Sequence, residues 1–177
     1  MAYRITGLSP EPFRPLFGLS DAELEQRGAQ RWTATPGSGL PDRVEMRDAL
    51  PGETLLLVNH EHQPAATPYR SAHAIFVREG ASVVYDRVDE IPEAMRKRML
   101  SLRAFDREHL MVDAVLVDGR DAEAAIGRLF ARAEAEYIHA HYATRGCYAG
   151  RIERACSRRA SGRRCFRERE RGRYRCA

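Results

Sequence analysis

The chain has 177 residues, of which 44% are hydrophobic and 31% are charged. This length and composition fit one globular domain with a real core and exclude a disordered protein. No apolar run approaches the roughly 20 residues needed to cross a bilayer, so we expect no membrane partner. The N-terminus has no pattern of a secretory signal, so we expect a cytoplasmic location.

The positive charge of the chain is concentrated at its C-terminal end. The net charge is +4, yet residues 156–177 hold nine Arg and two Glu, a net charge of +7, which leaves residues 1–155 with −3. This tail contains no aliphatic residue larger than Ala, so it cannot bury enough apolar surface to offset the entropy of ordering. We therefore predict that residues 156–177 form a disordered, Arg- and Cys-rich tail.

Three interpretations of this tail stay open. It is an out-of-frame extension of a GC-rich gene, a basic arm that contacts nucleic acid, or a structured appendage. Its cysteines, Cys156, Cys165 and Cys176, are spaced too widely for the paired ligands of a zinc finger. Nucleic acid is therefore expected as a partner only through the charge of the tail.

The first half of the body predicts one short helix among several strands. Ser20 and Glu23 form the pattern of a capping box, and Gly28 follows as a stop signal, so residues 21–27 are predicted to be helical. A polar loop is predicted from Glu61 to Ser71. Apolar runs and alternating patterns predict strands at 3–7, 29–35, 43–47, 54–58, 74–77 and 82–85.

The second half predicts two more helices. Pro92 begins one in which Met95, Met99 and Leu102 lie at helical spacing, and Asp121 begins another with one apolar stripe. Strands are predicted at 110–117, 137–142 and 147–152. Several links between strands are too short for a crossover helix, which favours antiparallel pairing. The prediction is a single compact α+β domain over residues 1–155, with a largely antiparallel sheet and three short to medium helices.

Short sequence blocks across this body resemble one known family. In this order they are similar to the small bacterial family called domain of unknown function 1203, over residues 3 to about 155. The family name implies no reaction, so the resemblance implies an uncharacterised bacterial protein. The family pattern has Pro-Cys-Arg where this chain has Pro41-Asp42-Arg43, which removes any role of that cysteine here. The blocks are Gly28-Ala29, Pro51-Gly52-Glu53, Pro64, Pro68-Tyr69-Arg70, Ala74–Val77, Leu102–Asp106, Met111–Asp113 and His139–Tyr148.

Five histidines are candidate metal ligands. Residues two apart in a strand point to the same side, so each of two His-x-His pairs can present two imidazoles to one ion. Zn²⁺ or Fe²⁺ accepts such nitrogens, with a carboxylate such as Glu61 completing the set. The alternative is that the rings are structural or exposed and that the protein has no cofactor. The candidates are His60, His62, His73, His139 and His141.

A reactive thiol is the second chemical hypothesis. Arg145 lies near Cys147 in the sequence, and His141 is a candidate base. A four-residue hairpin loop at 143–146 would pair Tyr142 with Cys147 and put the thiol on the face opposite the histidines. A five-residue loop would pair His141 with Cys147 and allow a dyad. The sequence leaves both loops open.

The functional prediction is a protein of no assignable activity that binds a ligand or partner through the loop 61–72 and the hairpin 137–152. Arg70 and Arg145 are the candidates for contacts with an anionic ligand. The first alternative is a metal-dependent enzyme that uses the histidine cluster. The second is nucleic-acid contact through the basic tail. The sequence leaves open whether the protein is an enzyme.

Overall fold

The structure is a computed structural model that describes residues 2–155 and the backbone of 165–167 and 174–176. Nine strands form its framework: β1 (Tyr3–Thr6), β2 (Gln30–Thr33), β3 (Thr54–Gln63), β4 (Ser71–Arg78), β5 (Asp86–Val88), β6 (Met99–Phe105), β7 (Met111–Asp118), β8 (Tyr137–Tyr142) and β9 (Tyr148–Arg154). They pair as a six-stranded antiparallel sheet with the order β5-β1-β9-β8-β6-β7 and a three-stranded antiparallel sheet with the order β2-β3-β4.

Three helices complete this part of the chain. They are α1 (Asp21–Gln26), α2 (Glu93–Arg96) and α3 (Ala122–Phe130), with short 3₁₀ turns at Arg14–Leu16 and Gly119–Asp121. The capping box at the start of α1 is present, with Ser20 and Glu23 bonded reciprocally. The predicted α+β class with a largely antiparallel sheet and three helices is thus confirmed.

One face of the large sheet packs against α3. Ile138 and Ala140 of β8 join Leu102 of β6 and Leu129 of α3 in one buried apolar cluster. Burying each large apolar side chain contributes about 1.5–3 kcal/mol. Because side chains alternate along a strand, Tyr137, His139 and His141 of β8 face the opposite side.

The small sheet covers that opposite side. A second apolar cluster holds Leu56 and Val58 of β3, Ile75 and Val77 of β4, and Tyr148 of β9. The interface between the two sheets is therefore apolar along part of its length. Following β3 toward its end, the same face continues into His60 and His62, so the interface becomes polar there.

Three element predictions were wrong, and packing explains each. Residues 43–47 form no strand, because Met46 takes a φ of 54° and the segment folds inward. Residues 82–85 are irregular, and the strand begins at Asp86. The helix that begins after Pro92 ends at Arg96, and Met99–Phe105 is β6, which pairs with β7 and β8 at once. The hydrogen bonds that β6 makes with a strand on each side stabilise it more than the helical spacing of its apolar residues favours a helix.

The predicted loop at 61–71 is shorter than expected, because β3 runs on to Gln63 and β4 begins at Ser71. Beyond the body, β10 (Cys165–Arg167) and β11 (Tyr174–Cys176) pair as antiparallel strands. The rest of the tail that the sequence predicts to be disordered lies outside the described residues, so that prediction stays a prediction.

Candidate functional site

The hairpin of β3 and β4 carries His60, His62 and His73 on the side that faces the large sheet. His60 lies opposite His73 in the register, and the ladder is irregular between Glu61 and Gln63. This irregularity lies beside His62, whose ring stacks on that of His73 with centroids 4.9 Å apart and 16° between the planes. The two rings therefore form one edge of a polar cluster.

The opposite wall comes from β8, in the centre of the large sheet. His141 is fully buried, and its ring centroid lies 5.0 Å from that of His62 and 5.3 Å from that of His73. Each of the three rings offers one nitrogen, and these three nitrogens lie within 4.8 Å of one another. The two sheets thus bring together residues from distant parts of the chain.

His141 is held in one tautomer. Its Nδ1 lies 3.0 Å from the carbonyl oxygen of Gly146, and because a carbonyl only accepts, Nδ1 carries the hydrogen and donates it. In the neutral ring Nε2 is then an unprotonated acceptor. That Nε2 is buried and meets no hydrogen-bond partner within residues 2–155. Imidazoles that bind metals commonly donate their other N–H to a backbone carbonyl in this way.

The other two rings share a hydrogen bond. His62 Nε2 and His73 Nδ1 are 2.8 Å apart, so one of them donates to the other. Ser71 Oγ lies 3.2 Å from the same nitrogen of His62. An ion bound between the rings would replace the shared hydrogen.

Burial keeps these imidazoles neutral. Burial, with a smaller contribution from the charge of Arg103, lowers the pKa of His62 to about 4 and that of His141 to about 3. The pKa of His139, the most deeply desolvated ring, falls to about 2. Neutral imidazole is the form that binds a metal, so at neutral pH these rings are in the form that a metal ion requires.

Arg103 is a cation at the edge of the cluster. It lies on β6, directly across the ladder from His139. Its Nε donates to Ser101 Oγ at 3.3 Å, and it forms no ion pair with a carboxylate in the part of the chain that the structure describes. Burial lowers the pKa of this guanidinium as well, as expected of a charge removed from water without a counter-ion.

Aromatic rings enclose the cluster. Tyr148 stacks on His62 with centroids 4.7 Å apart, and His139 packs against Tyr148 at 5.2 Å and Phe105 at 5.1 Å. Tyr137 in turn stacks on Phe105 at 5.3 Å. These rings reduce the water around the imidazoles and strengthen electrostatic interactions inside the cluster.

A hydrogen-bond chain that sequence reasoning missed supports one end of this wall. Gln63 Nε2 donates to the Tyr137 hydroxyl at 2.7 Å, and His109 Nδ1 lies 2.8 Å from the same oxygen. His109 takes a φ of 61° in the turn between β6 and β7. No pattern in the sequence joins these residues, which lie in three separate hairpins.

The structure gathers only some of the predicted metal ligands. His62, His73 and His141 converge, and His139 lies beside them with its ring centroid 5.4 Å from that of His62. His60 lies between Phe13 and Tyr148, with ring centroids about 6 Å away, outside the group of three nitrogens. Glu61, proposed as the carboxylate ligand, is exposed and pairs with Arg70 at 2.7 Å.

The predicted thiol and arginine contacts lie elsewhere. The hairpin loop has four residues, because Tyr142 N donates to Cys147 O and His141 pairs with Tyr148. Cys147 therefore does not meet His141, and its Sγ instead accepts from Arg43 Nη2 at 3.2 Å. Arg145 is exposed at the tip of the hairpin.

The residues present fit a divalent ion. Zn–N bonds of about 2.0–2.1 Å in tetrahedral geometry place ligand nitrogens roughly 3.3 Å apart. In this structure His62 Nε2 and His73 Nδ1 are 2.8 Å apart, which is shorter than that value. The three candidate nitrogens all lie within 4.8 Å of one another, so the largest separation can exceed it. Side-chain rotations that move each nitrogen by less than about an ångström would therefore complete three bonds.

The fold and this cluster define an α+β protein with a three-histidine cluster between two antiparallel sheets. The chain belongs to the family described as Protein of unknown function (DUF1203), which matches residues 39–154 and so most of the body. This confirms the resemblance seen in the sequence. No curated protein and no solved structure matches the chain. Among the helices of the described residues, none has the length and apolar character to cross a bilayer.

Proposed function

We propose that this protein holds a divalent transition-metal ion, such as Zn²⁺ or Fe²⁺, through His62, His73 and His141. The observation that carries the proposal is the buried Nε2 of His141, which is unprotonated and without a partner in residues 2–155 while Nδ1 donates to Gly146. A lone pair left unused in the core costs stability. A metal ion facing two further imidazoles accounts for that lone pair.

Three protein ligands leave a coordination position open, which is the pattern of catalytic rather than structural sites. A bound ion of this kind lowers the pKa of its water and polarises a ligand oxygen. His62 and His73 are only partly buried, so the site is reachable from the side of the β3–β4 hairpin. We therefore propose a metal-dependent enzyme whose ligand enters between that hairpin and the hairpin of β8 and β9.

The protein's own residues orient the site. The Gly146 carbonyl fixes the ring of His141, and Tyr148 holds the plane of His62 by stacking. Ser71, 3.2 Å from His62 Nε2, is placed to accept or donate a hydrogen bond once that nitrogen changes partner. The bacterial and cytoplasmic setting and the nucleic-acid contact of the tail remain predictions from the sequence.

Metal analysis of protein prepared without a histidine tag tests the proposal. The chain is stripped with a chelator, refilled with Zn²⁺ or Co²⁺ and desalted. We expect about one equivalent of bound ion, a Co²⁺ spectrum of low coordination number, and a raised Tm on loading. Less than about a tenth of an equivalent would reject the proposal.

Matched variants locate the site. His141→Ala and His73→Ala should lower metal affinity by at least about 100-fold. His60→Ala is the control, because His60 lies on the same strand as His62 but outside the three converging nitrogens. A cooperative melt of each metal-free variant shows that the fold survives. Equal loss of metal from the His60 variant would contradict the assignment.

A further inference from the structure

We propose that the same site takes a small ligand bearing a carboxylate or phosphate group, and that Arg103 pairs with this oxyanion. The inference rests on the proposed function, because the anion would occupy the open position of the ion. It names a substrate class that Arg70 and Arg145 were predicted from sequence to recognise. The structure points instead to a residue that the sequence did not single out.

Arg103 differs from several other arginines of residues 2–155 in its lack of a counter-ion. Arg47 and Arg78 pair with Glu53 and Glu45, and Arg151 donates to Glu153 at 2.8 Å. Arg103 has only the neutral hydroxyl of Ser101 at 3.3 Å within the described ranges. A partly buried guanidinium with most of its donors free is available to pair with a negatively charged ligand.

The guanidinium faces the metal ligands. Arg103 lies across the β6–β8 ladder from His139, so their side chains are neighbours on one face of the sheet. In the same ladder Ser101 pairs with His141, so Arg103, two residues further along β6, lies on the face that carries His139 and His141. An anion bound between the rings and Arg103 would therefore interact with both.

The net charge of the site also favours an anionic ligand. The three imidazoles are neutral, so a divalent ion would bring two positive charges to a site that already holds one on Arg103. No carboxylate of residues 2–155 joins the three histidines in this cluster. In partly enclosed surroundings such an excess of positive charge is stabilised by an anionic ligand.

The geometry of the donors selects the chemical class. A guanidinium presents parallel N–H donors that match the two oxygens of a carboxylate or phosphate. The second oxygen of such a group can reach the ion. Tyr69 is exposed and lies near Phe105 with its ring centroid 6.0 Å away, so its ring offers apolar surface to the rest of the ligand.

The experiment titrates Co²⁺-loaded protein with acetate and, separately, with inorganic phosphate, and follows the visible spectrum. Wild-type protein should bind at least one of them, and Arg103→Met should weaken that binding at least about tenfold. Arg145→Met removes the same charge from the exposed tip of the nearby hairpin and should bind as wild type does. Imidazole, a neutral ligand of the ion, should bind all three proteins equally.

The outcomes separate this inference from the proposed function. Full loading with Co²⁺ but no response to either anion, or equal binding by Arg103→Met, overturns the anion site and leaves the metal site standing. If the protein takes up no metal, the proposed function fails. Calorimetry with the same anions on metal-free protein then tests Arg103 alone. If wild-type protein binds an anion and Arg103→Met does not, the anion contact of Arg103 is supported; if wild-type protein binds neither anion, that contact is refuted.

Discussion

The ring of Tyr148 lies flat against that of His62, with centroids 4.7 Å apart and 8° between the planes. Tyr148 belongs to β9 of the large sheet and His62 to β3 of the small one. This contact therefore joins the two sheets at the histidine site. It also fixes the plane of one proposed ligand, so the packing of the sheets and the geometry of the site are coupled.

Replacing Tyr148 with Leu should disturb both properties. We expect a loss of about 2–4 kcal/mol in the free energy of unfolding, because the buried ring is replaced by a smaller side chain. Metal affinity should also fall, since the ring of His62 is then free to rotate. Urea denaturation and titration against a competing chelator measure the two effects. Tyr148→Phe keeps the stack and is the control; unchanged metal affinity in the Leu variant would show that the stack does not position His62.

The metal-free protein should lose stability as the pH falls below neutrality. The pKa values of His62, His139 and His141 in the folded state are about 4, 2 and 3, below the ordinary value of 6.5. Between these values the unfolded chain binds protons that the folded chain does not, so acid favours unfolding. The two deeply buried rings, His139 and His141, should each cost about 2 kcal/mol between pH 7 and pH 5, and the partly exposed His62 should cost less.

Denaturation of His139→Leu at both pH values checks this effect. His139 lies outside the three converging nitrogens, so the variant removes one buried imidazole without removing a proposed ligand. The difference in stability between pH 7 and pH 5 should shrink by about 2 kcal/mol. An unchanged difference would mean that this ring is not held neutral by burial.

Tyr137→Phe should destabilise the protein by about 1–3 kcal/mol. The substitution removes the hydroxyl that accepts from Gln63 and contacts His109, and it leaves the buried amide of Gln63 without a partner. The double variant Tyr137→Phe, Gln63→Leu replaces both polar groups, so it should recover part of the loss. If the losses in the free energy of unfolding from the two single substitutions simply add in the double variant, Tyr137 and Gln63 are not coupled.

Arg43→Lys should cost roughly 2–4 kcal/mol, although the charge is kept. Arg43 is 1% exposed, donates to the carbonyl oxygens of Tyr148 and Pro41, and lies over the ring of Tyr142 at 5.0 Å. A lysine cannot reproduce this planar set of donors. Arg145→Lys at the exposed tip should change stability by less than about 0.5 kcal/mol. Equal stability of the two variants would mean that the buried donors contribute nothing.

Local sequence patterns correctly predicted the elements whose structure does not depend on the strands packed beside them. The capping box of Ser20 and Glu23 begins α1 as expected, and the stripe after Asp121 forms α3. The pattern from Met95 to Leu102 failed because it is compatible with two structures. Leu100, Leu102 and Ala104 also alternate, and only the strands on both sides of β6 make that alternation decisive.

The same failure hid Arg103. In a helix its position carries no special meaning, but in β6 it shares a face with Ser101, opposite the buried Leu102. For the histidines, the rule that residues two apart share a face predicted correctly that His60 and His62 lie on one side. Which of them meets His73 and His141 depends on how two sheets pack, and that contact is not encoded in any local spacing.

His62 and His141 are 79 positions apart in the chain and reach one another only when the two sheets are docked. A partly folded chain, or a fragment that contains one hairpin, has at most two of the three rings in place. Uptake of an ion would therefore show that the two sheets have docked. The bound ion would then slow unfolding, because it binds the folded state and not the unfolded chain. Cells short of the metal would be expected to hold this protein in a form that opens and is degraded sooner.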